Sequence, residues 1–135
     1  MTDEELRKTF TISVDNESGL LNMAFLVPEY DDASNTRQAM FFRDECLKVL
    51  TANPNKIYNC VVDITPMGKL GYVSKEAGEI YKDLAANKQI NKIAIVGNTD
   101  FQNAILEFAF FLIKTFNRRV SWFSSREEAL YWINK

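Results

Sequence analysis

The chain contains no histidine, and its 135 residues include only 2 Cys, 3 Pro and 5 Gly. Without histidine, Ser-His-Asp and Cys-His catalysis are excluded, and most transition-metal sites lose their commonest ligand. With few Gly and Pro and 47% hydrophobic residues, the composition is typical of a globular protein and not of a disordered one. We therefore expect one folded domain over residues 1–135 without a metal site.

Neither sign of charge dominates, because 16 basic and 18 acidic residues give a formal net charge of −2. Proteins that bind nucleic acid usually carry a clustered basic face, and two short basic pairs at 7–8 and 118–119 cannot form one. The longest apolar run, at 108–113, is far shorter than the roughly 20 residues that span a bilayer. The acidic first residues also lack the features of a signal peptide. These absences predict no nucleic-acid binding, no integral membrane association and a cytoplasmic location.

The two cysteines are best interpreted as core residues. Cys46 falls on a predicted amphipathic helix and Cys60 within a predicted buried strand, where thiols are usually inert. A disulfide or a metal pair is the less favoured alternative, because neither a CxxC motif nor a histidine accompanies them.

Short apolar strands alternate with amphipathic helices, which is typical of a parallel sheet built from βαβ units. The strand patterns lie at residues 10–14, 20–27, 57–64, 92–97 and 120–123. The turn formers at 15–19 join the first two strands closely, so these two should be antiparallel. We predict an α/β fold: a mixed five-stranded sheet with four consecutive βα units after a leading antiparallel strand. Residues 1–8 should be frayed or form a short helical turn.

Asp63 and Asn98 are the candidate binding residues at the carboxyl ends of two neighbouring parallel strands, where ligands of open α/β sheets gather. The alternative for Asp63 is that it accepts hydrogen bonds from loop amides. Neither GxGxxG nor GxxxxGK[ST] is present, so Gly97 is better explained by a tight strand-to-helix turn than by a phosphate loop. The residues therefore predict no cofactor, and no second acid or base accompanies Asp63.

The helical pattern at residues 99–116 is apolar on more than one face, which is unusual for a peripheral helix. Phe101, Phe108, Phe110 and Phe111 are the candidate interface residues on it. A homodimer, a protein partner or an apolar ligand would each cover such a surplus. The alternative is that these rings are simply part of the core.

Three strands and the last helix carry motifs that recur together in one family. These are VVDIT at 61–65, KIAIVG at 92–97, RVSWF at 119–123 and EALYWI at 128–133. The chain resembles the STAS superfamily, in particular the SpoIIAA-like branch related to anti-sigma-factor antagonists. The resemblance covers most of residues 57–135, and over 9–56 only the order of strands and helix agrees.

This resemblance implies a non-enzymatic, cytoplasmic and bacterial regulatory module that binds a protein partner, such as an anti-sigma-factor-like kinase. In such antagonists, a serine at the start of the helix after the strand matching residues 60–64 is phosphorylated. The Asp-Ser-Ser-Gly that marks this serine is absent here, and Ser74 and Thr65 occupy the matching helix start and loop. The alternative for Ser74 is a plain helix N-cap.

Two further functions stay open. A binder or sensor of a small apolar ligand such as a lipid would use the surplus aromatic surface, and an enzyme would use Asp63. We rank the interaction module first, the apolar-ligand binder second and the enzyme last.

Overall fold

The computed structural model describes residues 2–67, 71–98 and 104–135. The elements there are α1 (Asp3–Arg7), β1 (Phe10–Asp15), β2 (Leu20–Phe25), α2 (Asp32–Ala52), β3 (Tyr58–Asp63), α3 (Lys75–Ala85), β4 (Ile90–Val96), α4 (Ala104–Phe116), β5 (Val120–Phe123) and α5 (Arg126–Ile133). Two short 3₁₀ turns lie at Thr65–Met67 and Asn117–Arg119.

The five strands form one sheet in the order β1-β2-β3-β4-β5, so each strand lies beside its neighbours in the sequence. β1 pairs antiparallel with β2, and all later pairs are parallel. One row across the sheet joins Leu21, Cys60, Ile93 and Val120. The predicted mixed sheet of the α/β class is therefore confirmed, and β3 is its central strand.

The two faces of the sheet are covered unequally. Because β2 to β5 follow one another in chain order, right-handed crossovers bring their connecting helices to the same face. The larger core lies there, between the sheet and α2, α3 and α4. On the opposite face α5 lies alone over β3, β4 and β5, with Ala129 and Ile133 against Val61, Ala94 and Val96.

The strand patterns predict that six side chains belong to the core: Val62, Ile64, Ile93, Ile95, Val120 and Trp122. Most of them are buried. Ile64, Ile93, Ile95 and Val120 are each at most 8% exposed. Val62 and Trp122, which the sequence also predicts to be largely buried, are only half-buried. Val62 borders a cavity and Trp122 lies on the edge strand β5. Both side chains are apolar, but neither is surrounded by protein atoms on all sides, and this explains why they are only half-buried.

The first helix agrees with the second of the two alternatives expected for residues 1–8, a short helical turn. Thr2 caps α1 by accepting a hydrogen bond from the Glu5 amide at 3.2 Å. Leu6 of this helix is fully buried, and α1 packs on α2. The burial of a single leucine fixes a turn of helix that is otherwise polar.

Helix ends elsewhere follow their capping residues. α2 begins at Asp32, because Asp31 is the N-cap and its side chain accepts a hydrogen bond from the Ser34 amide at 2.9 Å. The Gln89 side-chain amide donates to three carbonyls at the end of α2 and just beyond it, those of Leu50, Asn53 and Lys56. Asn117 ends α4 with a φ of 55°, as expected for a left-handed C-cap.

Candidate functional site

A cavity of about 130 Å³ lies between the sheet and α2, α3 and α4. Its wall is built from side chains along the three adjacent strands β2, β3 and β4 and from the inner faces of the helices, and almost all of these side chains are apolar. They include Met23, Phe25, Phe42, Cys46, Cys60, Val62, Ile64, Tyr81, Leu84, Ala85, Ile95, Phe108, Ala109 and Leu112. An engineered apolar cavity of about 150 Å³ in another protein stays dry and binds benzene or xenon. The cavity described here is of the same size and chemistry.

The amides that border this cavity are engaged within the protein. The Asn35 side chain donates to the carbonyls of Glu29 and Tyr72, both at 2.9 Å, and accepts from the Ser74 amide at 2.7 Å. The Gln38 amide nitrogen donates to the Thr9 hydroxyl and to the Val27 carbonyl. These bonds use the donors of both amides, so an occupant of the cavity would meet a mainly apolar wall.

Tyr81 is one of the two tyrosines in the wall, and the other is Tyr72. The Tyr81 ring contacts those of Phe25, Phe42 and Phe108, with centroids 5.6 to 6.1 Å apart. Burial raises the pKa of the Tyr81 phenol above its usual range. The hydroxyl therefore stays protonated at neutral pH and offers no base.

The two thiols line the same cavity and are buried. Burial, with a smaller contribution from the charge of Glu45, raises the pKa of Cys46 to about 12. Burial raises the pKa of Cys60 further still. Because the thiolate is the reactive form, neither cysteine is a nucleophile at neutral pH. Their interpretation as inert core residues agrees with this geometry.

Asp63 and Asn98 both lie at the carboxyl-end edge of the sheet, where Asp63 pairs with Val96 of β4. The Asp63 carboxylate accepts a hydrogen bond from the Thr65 amide at 2.9 Å, which is the alternative role for this residue. Asn98 lies exposed beyond β4, and neither side chain borders the cavity. The Asp63 carboxylate is therefore engaged by the backbone of the loop that follows β3.

Ser74 lies in a buried hydrogen-bond cluster, and the expectation of an accessible phospho-acceptor there is wrong. It is 1% exposed and is the N-cap of α3, accepting from the Ala77 amide at 3.0 Å. Its hydroxyl also lies 2.7 Å from that of Thr36. A phosphate would have to break these contacts. Thr65, in contrast, is exposed at the start of its 3₁₀ turn.

The four candidate aromatics of the α4 region have different surroundings. Phe101 lies outside the described residues. Phe110 and Phe111 are 55% and 46% exposed, whereas Phe108 is half-buried between Tyr81 and Phe111. A surface groove of about 370 Å³ runs between α3 and α4, and Phe108 and Phe111 belong to its wall.

The sequence patterns did not locate the cavity, although one signal for its border was present. Asn35 and Gln38 continue the apolar stripe of α2 that includes Ala39, Phe42 and Cys46. Polar residues on a buried stripe must find partners inside the protein, so they mark an unusual part of the core. Tyr81 carries no comparable signal, since a tyrosine on an amphipathic helix is common.

Neither a scan against protein-family models nor a search of curated proteins found a match to this chain. Among the described residues, no group of three or more acidic or cysteine side chains is arranged to hold a metal ion. No described helix combines the length and the apolar character that crossing a bilayer requires.

Proposed function

We propose that this protein is a non-enzymatic binder or sensor of a small apolar molecule held between the sheet and α2, α3 and α4. The observation that carries the proposal is the apolar cavity of about 130 Å³. Protein interiors are close-packed, and an empty cavity costs about 24 cal/mol per Å³, or roughly 3 kcal/mol at this size. A ligand that fills the space would recover part of that free energy.

The chemistry of the wall supports binding over catalysis. The thiols of Cys46 and Cys60 and the phenol of Tyr81 are held in their neutral forms by burial. A general base or a nucleophile needs a pKa close to the working pH, which these groups do not have. An apolar wall without charged groups therefore favours an apolar ligand over a reacting substrate.

Benzene is a suitable first probe, because a cavity of nearly this volume accepts it in another protein. We expect benzene to raise the free energy of unfolding, by about 2.7 kcal/mol when its free concentration reaches 100 times the dissociation constant. Thermal unfolding at increasing benzene concentration, in sealed cells, measures this effect.

A pair of neighbouring variants makes the test specific. Ala85→Leu adds a side chain at the cavity wall and should weaken benzene binding at least about tenfold, because it fills the space. Ala86→Leu makes the same change at the next residue, which is exposed, and should bind as the wild type does. Equal benzene affinity in both variants would contradict the cavity as the site.

A second candidate is a cytoplasmic interaction module of STAS type, which the resemblance supports together with the exposed rings on α4. Full burial of an exposed phenylalanine gains roughly 1.5–3 kcal/mol, and Phe110 and Phe111 still expose about half of their surface, so covering them would gain about half of this each. A homodimer or a protein partner, such as an anti-sigma-factor-like kinase, would recover part of this. If phosphorylation regulates the contact, the exposed Thr65 is the acceptor to test, and Ser74 is not.

Sedimentation velocity tests this second candidate. Phe110→Lys should shift a dimer toward monomer while the far-UV circular dichroism stays unchanged. Tyr131→Lys is the matched control, because Tyr131 is 71% exposed on α5, across the sheet from α4. A wild-type protein that remains monomeric at high concentration would exclude the homodimer.

A further inference from the structure

The groove between α3 and α4 and the inner cavity share two wall residues, Val73 and Phe108. On one side of these residues lies the apolar cavity of about 130 Å³, and on the other lies the groove of about 370 Å³. The two spaces are therefore neighbours.

Phe108 is held in this position by rings and by a glycine. Its centroid lies 6.1 Å from that of Tyr81 and 6.2 Å from that of Phe111, with which it is stacked. A Cβ at position 78 would lie 3.3 Å from Phe108 Cε1, so the ring sits close against α3 where Gly78 has no side chain. None of these contacts is a hydrogen bond, and a helical phenylalanine has two χ1 rotamers open to it. The ring can therefore swing without loss of a polar interaction.

The cavity alone is smaller than most ligand sites. Small-molecule pockets usually measure about 300–1,000 Å³, and the cavity of about 130 Å³ lies below this range, whereas the neighbouring groove of about 370 Å³ lies within it. A ligand longer than benzene that enters the cavity must therefore also occupy space beyond it, and the groove is a space that shares wall residues with the cavity. We propose that Phe108 is a movable partition, and that its rotation joins the cavity and the groove into one elongated binding site.

This inference rests on the proposed apolar-ligand function and specifies the ligand class. One end of the ligand is apolar and fills the cavity, and the rest lies in the groove. The groove is bordered by two lysines and two glutamates, Lys75, Lys82, Glu79 and Glu107. Because neither sign prevails there, the groove end of the ligand is an uncharged polar group. An elongated alcohol such as octan-1-ol has this chemistry.

Two probes of different length separate the cavity from the joined site. Benzene fits the cavity alone, whereas octan-1-ol needs the partition to move. Calorimetric titration of both probes gives the ratio of their affinities. In Phe108→Ala the partition is absent, so octan-1-ol should gain at least about tenfold in affinity relative to benzene. In Phe108→Trp the partition is larger, and the same ratio should fall.

Phe110→Ala is the matched control, because it removes an equal ring from α4 at a residue that borders neither space. It should leave the ratio as in the wild type. If benzene binds but the ratio is the same in all variants, or changes equally in Phe110→Ala, the partition is refuted while the cavity remains a site. If neither probe binds the wild-type protein, the cavity is not a binding site and the partition is refuted with it.

Discussion

Replacing Gly97 with alanine tests how closely the end of β4 approaches β5. An added Cβ would lie 2.6 Å from Trp122 Cζ2, 2.8 Å from Trp122 Cη2 and 3.1 Å from Ile64 Cγ1. The backbone there is not left-handed, since Gly19 is the one described glycine with a positive φ. Glycine is therefore needed at position 97 because a side chain there would collide with Trp122. The conformation of a tight turn, which the sequence suggests as the reason, does not require it.

The expected cost follows from these distances. Carbon atoms in contact prefer a separation of about 3.5–4.0 Å, so the indole would have to move by roughly 1 Å. Such overpacking typically costs about 1–3 kcal/mol. Gly97→Ala should lower the free energy of unfolding by this amount in urea denaturation followed by far-UV circular dichroism.

A double-mutant cycle assigns the cost to the tryptophan. Trp122→Leu removes both ring atoms that the new methyl group would meet, so Gly97→Ala should be nearly harmless in that background. The coupling energy should then be at least about 1 kcal/mol, above the roughly 0.5 kcal/mol within which independent sites add. Additive effects, or a Gly97→Ala variant as stable as the wild type, would refute this account of the glycine.

Three further changes test the core and its titratable groups. Ile95→Ala should cost roughly 2–5 kcal/mol in urea denaturation, and a cost near zero would contradict the burial of β4. Burial, and then the charge of Asp31, raise the pKa of Glu29 above its ordinary value of 4.5, so the native state binds the proton more tightly than the unfolded state does. Stability should thus fall as pH rises above 4.5, and Glu29→Gln should remove this decline; identical pH profiles would contradict it. Cys46, with a pKa of about 12, should resist iodoacetamide at pH 8 until the protein unfolds, and rapid labelling of the native protein would contradict its burial.

The fold could be predicted because its signals are local. The nearly continuous β-branched and apolar run at 57–64 indicates a strand covered on both faces, and β3 is the central strand. The turn formers at 15–19 likewise account for the antiparallel pair of β1 and β2.

The site could not be predicted in the same way, because it depends on contacts between distant segments. The N-cap role of Ser74 is visible in the sequence, but its burial depends on Thr36 and Asn35, almost 40 positions earlier. The cavity is a space left where three helices meet the sheet, and no periodicity of one helix reports on that space. Asn35 and Gln38, on the apolar stripe of α2, are the nearest visible signal.

The sequential order of the strands has a consequence for how the chain folds. Each new strand pairs with the strand made just before it, so the sheet grows at one edge and no strand waits for a distant partner. Contacts between neighbouring segments favour rapid folding, and the N-terminal hairpin can form while the rest is being synthesised. The face covered by α5 is an exception, because Val61, Ala94 and Val96 are exposed there until this eight-residue helix has formed. A chain in which α5 has not yet formed therefore exposes an apolar patch through which it can aggregate.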